Sequence, residues 1–162
     1  VWPANGEIDI MEASNKGTSG NTMSLHTNSG CDMSVKREMI GSAGQGDCNN
    51  ATNTNAGCGV TAGASTYGPT FNQAGGGIMA VEWRSEGIRM WQFARNAIPS
   101  DISSGSGSPD PSSWGTALAD FPNTNCDIDA HFKNQTLIID IDICGEYTKS
   151  TYSASGCEFT SG

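Results

Sequence analysis

The feature that most restricts this chain's fold is a two-residue apolar rhythm with no helical rhythm to compete with it. Residues 6–12, Gly-Glu-Ile-Asp-Ile-Met-Glu, alternate polar and apolar side chains. Residues 22–27 alternate again, with Met23 and Leu25 on one face and Ser24 and His26 on the other. Successive side chains of a strand point to opposite faces, so both segments read as strands with one buried side. Residues 77–83 and 87–93 read as a hairpin joined through Arg84-Ser85-Glu86 and Gly87. In 136–144, Leu137, Ile139, Ile141 and Ile143 share one face opposite Asp140 and Asp142, which makes this the clearest strand of all. The stretches 41–66 and 101–116, rich in Gly, Ser, Asn and Thr, are expected to be loops. Several short strands separated by turn chemistry predict an all-β sandwich or barrel, and 162 residues suit one domain.

Charge and cysteine content narrow the setting. Eight basic against 17 acidic residues give a net charge of −9. Nucleic acids and anionic membranes need a basic face, so neither is expected as a partner. No apolar run approaches the ~18 residues of a spanning helix. The six cysteines, Cys31, Cys48, Cys58, Cys126, Cys144 and Cys157, contain no Cys-x-x-Cys pair. An even number without zinc spacing reads as disulfides in an extracellular protein. Three fall in 31–58 and three in 126–157, so at least one bond must join the two clusters if all pair. Asn50 and Asn134 head Asn-x-Thr sequons, which agree with a secreted glycoprotein.

The chemistry concentrates in the first strand. Glu7 and Asp9 share a face while Ile8 and Ile10 take the other, so the acids fall on the solvated side. Glu12 has the wrong parity for that face. A single β-bulge near Met11 corrects it, and bulges are common beside active sites. With the bulge, Glu7 and Glu12 lie about four strand steps apart, or ~13 Å between Cα atoms. On a concave sheet two Glu side chains leaning together approach the ~5–5.5 Å of retaining glycosidases; on a flat sheet they stay too far apart. Crowded carboxylates cannot all ionise freely, so one is expected to keep a proton as general acid while another stays ionised as nucleophile. A merely solvated acidic face and a calcium site are the competing readings of the same cluster. No Gly-x-Ser-x-Gly elbow and no phosphate-binding Gly-x-x-x-x-Gly-Lys motif is present, and Gly75-Gly76-Gly77 precedes a strand.

Glu7-Ile-Asp9-Ile-Met-Glu12 resembles the E-x-D-x-x-E signature of glycoside hydrolase family 16, and the preceding Trp2-Pro3-x-Asn5-Gly6 is similar to that of fungal laminarinase-type endo-1,3(4)-β-glucanases. The resemblance continues in order through Leu25-His26-Thr27, Tyr67-Gly68-Pro69, Asn72–Gly77, Ile88–Trp91, Arg95–Pro99, Pro111–Gly115 and Ile143–Gly145. It implies a β-jelly-roll sandwich of two antiparallel sheets with a concave glucan-binding cleft. It also implies retaining hydrolysis of 1,3 and mixed 1,3-1,4 β-glucans, with Glu7 as nucleophile, Glu12 as acid/base and Asp9 as the assisting carboxylate. A complete domain of that family carries several strands before the signature, whereas six residues precede Glu7 here, so 1–162 is expected to be one hydrolase domain short of its N-terminal strands. Residues 144–149, Cys-Gly-Glu-Tyr-Thr-Lys, depart from the family's usual Cys-Gly-Asp-Trp-Ala-Gly.

Sugar rings present apolar C–H faces, so aromatic side chains near the acids are candidate substrate contacts. Trp2, just before the acidic strand, and Trp114, in Pro-Ser-Ser-Trp-Gly, are the two selected; Trp91 reads as a packing residue. His26, on the strand expected to pair with the acidic one, is the third candidate binding residue, and His131 reads as structural. No cofactor is expected. A structural calcium near Asp140 and Asp142 is the sharper reading of two acids whose plain reading is solvation. A monomer acting on β-glucan polysaccharide is expected. The competing functions are a cell-wall β-glucan transglycosylase, and a non-catalytic glucan-binding module or inactive fragment.

Overall fold

The computed structural model describes residues 1–105, 107–143 and 145–158. Its strands form two antiparallel sheets, as the two-residue rhythm predicts. In the first, β1 (Glu7–Glu12), β2 (Thr22–His26), β3 (Ser42–Ala43) and β4 (Cys58–Thr61) lie in the order β1-β2-β4-β3. In the second, β5 (Gly77–Arg84), β6 (Gly87–Ala94) and β7 (Ala119–Pro122) lie in the order β5-β6-β7. The helices are short: α1 (Gly68–Gln73), α2 (Ser100–Ser103), α3 (Ile128–His131) and α4 (Glu146–Thr151). No helix among the described residues is long and apolar enough to cross a membrane.

The core lies between the sheets. Met23 and Leu25 of β2 and Val60 of β4 meet Ile88 and Met90 of β6 and Ala119 and Phe121 of β7, all fully buried. Pairing of Ile88 with Phe121 and of Met90 with Ala119 puts these β6 and β7 side chains on one face. Each large side chain buried there contributes about 1.5–3 kcal/mol. Because Leu25 faces inward, Ser24 and His26 must face outward, and that outer face of the first sheet is where the acids lie.

Two disulfides brace the loops. Cys31–Cys126 joins positions 95 residues apart and bridges the two cysteine clusters, while Cys48–Cys58 closes a separation of 10 residues at the start of β4. Loop-closure entropy alone gives about 4–5 kcal/mol for the long bridge and about 3 kcal/mol for the short one. Cys157 has no partner among the described residues, and Cys144 lies outside them.

Three expectations change. Residues 136–144 do not form a strand where described: 137–143 runs as irregular chain, and Leu137, Ile139, Ile141 and Ile143 are 81–89% exposed. Alternation fixes which side chains share a face, but a strand needs a neighbour for its N–H and C=O groups, and no described strand pairs with this stretch. The second correction concerns 41–66, which is not all loop. It contains β3 and β4, and β4 pairs with both β2 and β3 in the first sheet. Its sequence, Cys-Gly-Val-Thr, is too short and too glycine-rich to stand out from its surroundings. The third is β7, whose four residues were not anticipated.

Candidate active site

The β1–β2 register settles the parity of the acids. Glu7 lies opposite His26, Ile8 opposite Leu25, and Asp9 opposite Ser24; the ladder then slips, and Glu12 lies opposite Thr22. His26, Ser24 and Thr22 are alternate residues of a regular strand, so Glu7, Asp9 and Glu12 share the outer face, with the expected bulge between Asp9 and Glu12. Ile8 packs against the core from the other side. His26 and Thr22 are four residues apart, which spaces Glu7 and Glu12 by ~13 Å along the ladder.

Asn21, a residue the sequence reading passed over, holds the bulge open. It is fully buried, and its side-chain amide accepts from the Glu12 N–H at 2.9 Å and donates to the Ile10 carbonyl at 3.0 Å. A bulge leaves backbone groups without ladder partners, and a primary amide supplies one acceptor and one donor for them. Sequence offers only a weak signal for this, an Asn immediately before an apolar-alternating segment.

Each acid has a different neighbour. Trp2 donates its indole N–H to Glu7 Oε2 at 2.7 Å while its ring stays half exposed. Asp9 Oδ2 lies 3.2 Å from His26 Nε2, and the other ring nitrogen of His26 is 3.1 Å from Asn55 Oδ1. Glu12 holds its proton above the ordinary carboxylate range, first because burial disfavours its anion and then because of the charge on Asp9; His26 opposes this and Glu7 adds to it. Burial alone would push His26 down. The hydrogen bond and charge of Asp9, then the Asn55 contact and the Glu7 charge, outweigh it and raise the imidazole. The face thus carries one carboxyl biased toward the protonated form, and Asp9 paired with a ring whose hold on its proton it strengthens. That division suits an acid/base pair.

Two glycines let the backbone close around these groups. Gly6, at φ +70°, enters β1 where a Cβ would come within 2.6 Å of the His131 carbonyl and the Phe132 ring. Gly57, at φ +63°, passes directly over His26, where a Cβ would stand 2.7 Å from its Cε1 and from the Leu25 carbonyl.

Trp2, His26, Glu7, Asp9 and Glu12 are therefore brought together, and Trp114 is not. Trp114 packs edge-on against Trp91 and Phe93, at 5.2 and 5.7 Å between ring centroids, and donates its indole N–H to Asp101 Oδ2 at 2.9 Å. Trp91 and Phe93 alternate with the core residue Met90 on β6, so this cluster covers the outer face of the second sheet, across the core from the acids. There Trp114 anchors the 101–116 loop. His131 meets Asn28 at 3.1 Å, in keeping with a structural role. Among the described residues no three or more His, Cys, Asp or Glu side chains converge as a metal site, and Asp140 and Asp142 lie exposed on irregular chain.

Comparison with known proteins places this geometry. The model of the XgeA-like catalytic GH16 domain matches residues 1–162. A probable glycosidase of Schizosaccharomyces pombe is 50% identical over 161 residues, covering 96% of this chain and 38% of that protein. A probable endo-1,3(4)-β-glucanase of Aspergillus clavatus is 40% identical over 156 residues, covering 96% and 24%. The solved structure of the GH16 laminarinase 16A from Phanerochaete chrysosporium, with 6-O-glucosyl-laminaritriose in its donor and acceptor sites, superposes with a TM-score of 0.92 at 44% identity, covering 98% of this chain and 54% of that one. That of an elongating family 16 β-1,3-glucosyltransferase superposes at 0.87 with 40% identity, covering 100% and 53%. The two-sheet architecture is thus the jelly roll of the laminarinases. The chain spans well under half the length of these curated relatives and about half of the solved structures.

Proposed function

This chain belongs to the XgeA-like catalytic domains of glycoside hydrolase family 16, and from that premise we propose that it cleaves internal bonds of β-glucan, at 1,3 linkages and in mixed 1,3-1,4 chains, with retention of configuration. The observation that carries the reading is the bulged β1–β2 register, with Glu7, Asp9 and Glu12 on one face. In the first step the Glu7 carboxylate attacks the anomeric carbon while Glu12 gives its proton to the departing glycosidic oxygen. The C–O bond breaks and a glycosyl ester forms on Glu7. In the second, Glu12, now a carboxylate, takes a proton from water as the water oxygen displaces Glu7. The raised Glu12 carboxyl supports its role as the acid. The Trp2 contact supports Glu7 as the nucleophile, because the indole N–H fixes one carboxylate oxygen beside the half-exposed ring that a glucosyl unit would stack on. Asp9, paired with His26, is the assisting carboxylate, and the half-exposed Trp2 ring offers a stacking face to a glucosyl unit. The disulfides agree with work outside the cell, and a monomer is the simplest functional form.

The test is Glu7→Gln. Laminarin hydrolysis is expected to be nearly abolished while laminarin binding survives. Undiminished turnover removes the assignment, and binding without turnover in the unsubstituted chain turns the reading into that of a glucan-binding module. The likeness to the elongating glucosyltransferase favours a second reading, transfer of the glycosyl ester to another glucan rather than to water. Product sizing with a labelled oligosaccharide acceptor separates the two, since only transfer lengthens the label.

A further inference from the structure

Residues 53–55 are three consecutive non-glycine positions with left-handed backbone: Asn53 at φ +49°, Thr54 at +58° and Asn55 at +59°. L-residues visit this region singly, because Cβ crowds the following carbonyl, and a β-branched Thr tolerates it poorly. Such backbone persists only where its surroundings over-determine it. Here Gln45 is the clamp. Its Oε1 accepts from Asn53 Nδ2 and from the Asp47 N–H, both at 2.9 Å, and its Nε2 donates to the carbonyls of Asp47 and Gly57. The Cys48–Cys58 bond fastens the two ends of the loop, and Thr52 donates its hydroxyl to Asp47 Oδ2 at 2.9 Å.

The outcome of this bracing is one contact with the acid face, Asn55 Oδ1 at 3.1 Å from His26 Nδ1. We propose that Asn55 is a positioning residue, kept in a left-handed turn so that its side chain fixes the His26 ring against Asp9. The proposal rests on the glycosidase reading of Glu7, Asp9 and Glu12. An amide oxygen only accepts, so His26 Nδ1 carries a proton toward it. Nε2 faces the Asp9 carboxylate, a second acceptor, so the two contacts together favour the doubly protonated ring. The charged groups around it are Asp9, Glu7 and Glu12 from β1; the 53–57 loop presents only the neutral Asn55. The cationic ring offsets the Asp9 charge that otherwise drives Glu12 up. Asn55 thereby reaches the acid/base through His26, without touching substrate.

The experiment compares Asn55→Gly with Asn55→Asp. Glycine keeps the left-handed turn without strain and removes the acceptor; aspartate restores an acceptor. NMR titration of His26 is expected to show a lowered midpoint in Asn55→Gly and a midpoint at or above the original in Asn55→Asp. The pH 7 to pH 5 ratio of laminarin kcat/KM is expected to rise in Asn55→Gly, because a neutral His26 leaves the Asp9 charge free to drive Glu12 up and carries the alkaline limb to higher pH, and Asn55→Asp is expected to keep the original ratio. An Asn55→Gly protein with the original His26 midpoint and the original pH 7 to pH 5 rate ratio overturns the proposal. If Asn55→Gly fails to fold, the midpoint in Asn55→Asp decides, and a fall below the original overturns it. If the unsubstituted chain does not cleave glucan, the glycosidase reading fails, while the His26 midpoints still decide the Asn55 contact.

Discussion

The indole N–H of Trp2 reaches Glu7 Oε2 at 2.7 Å, across the turn that feeds the first strand. One side chain therefore offers a ring face to sugar and a hydrogen bond to the proposed nucleophile. The two roles separate in Trp2→Phe, which keeps an aromatic face and loses the donor. A hydrogen bond to a charged group is worth about 1.5–3 kcal/mol, so kcat on laminarin is expected to fall by about ten- to a hundredfold while KM changes little. A rise in KM with kcat intact would assign Trp2 to sugar stacking alone.

The shifted groups also set how stability responds to pH. Glu12 is raised above 4.5 and His26 above 6.5 in the folded chain. Between the unfolded and folded values of each group the native state holds more protons than the unfolded state, so stability falls as pH rises. The Glu12 contribution is lost from about pH 4.5 upward and the His26 contribution from about pH 6.5 upward. Asp101 acts oppositely. Hydrogen bonds from the Asp110 N–H and then the Trp114 indole lower it beneath 3.8, so its contribution is lost in acid. The melting temperature is expected to peak between these windows, near pH 4–5, and to decline toward pH 8. In His26→Gln the part of that decline above pH 6.5 should vanish; a curve parallel to the original would show that His26 is not raised.

How much of this was legible in the sequence depends on how local each cause is. The bulge was, because Glu7, Asp9 and Glu12 sit within six residues and Glu12 breaks a parity that Ile8 and Ile10 set. The β5–β6 hairpin was, for the same local reason. Asn21 and Asn55 were not. Each acts on a residue elsewhere in the chain, and each sits among Gly, Ser, Thr and Asn residues that read as solvated loop. Residues 137–143 failed in the opposite sense. Their pattern is strong, but pairing depends on a neighbour that no pattern within the segment supplies. Trp114 shows that residue type alone does not place a side chain, since the alternation around Met90 puts its partners Trp91 and Phe93 on the far sheet face.

The dependence of the site on Asn21 is open to direct measurement. Its amide serves both groups freed by the bulge, the Glu12 N–H and the Ile10 carbonyl, in a fully buried position. Asn21→Ala leaves both unpaired, at about 1–3 kcal/mol each, so urea unfolding is expected to show a loss of about 2–6 kcal/mol. Asn21→Asp is the sharper variant. Its carboxylate still accepts from Glu12 N–H but cannot donate to the Ile10 carbonyl, and it adds a buried negative charge beside an acid that Asp9 and Glu7 already push up. That charge should raise Glu12 further and move the alkaline limb of the kcat/KM profile to higher pH, while the missing donor lowers stability. If Asn21→Ala unfolds within about 1 kcal/mol of the original and cleaves laminarin at the original rate, the bulge is held by the ladder itself and not by this amide.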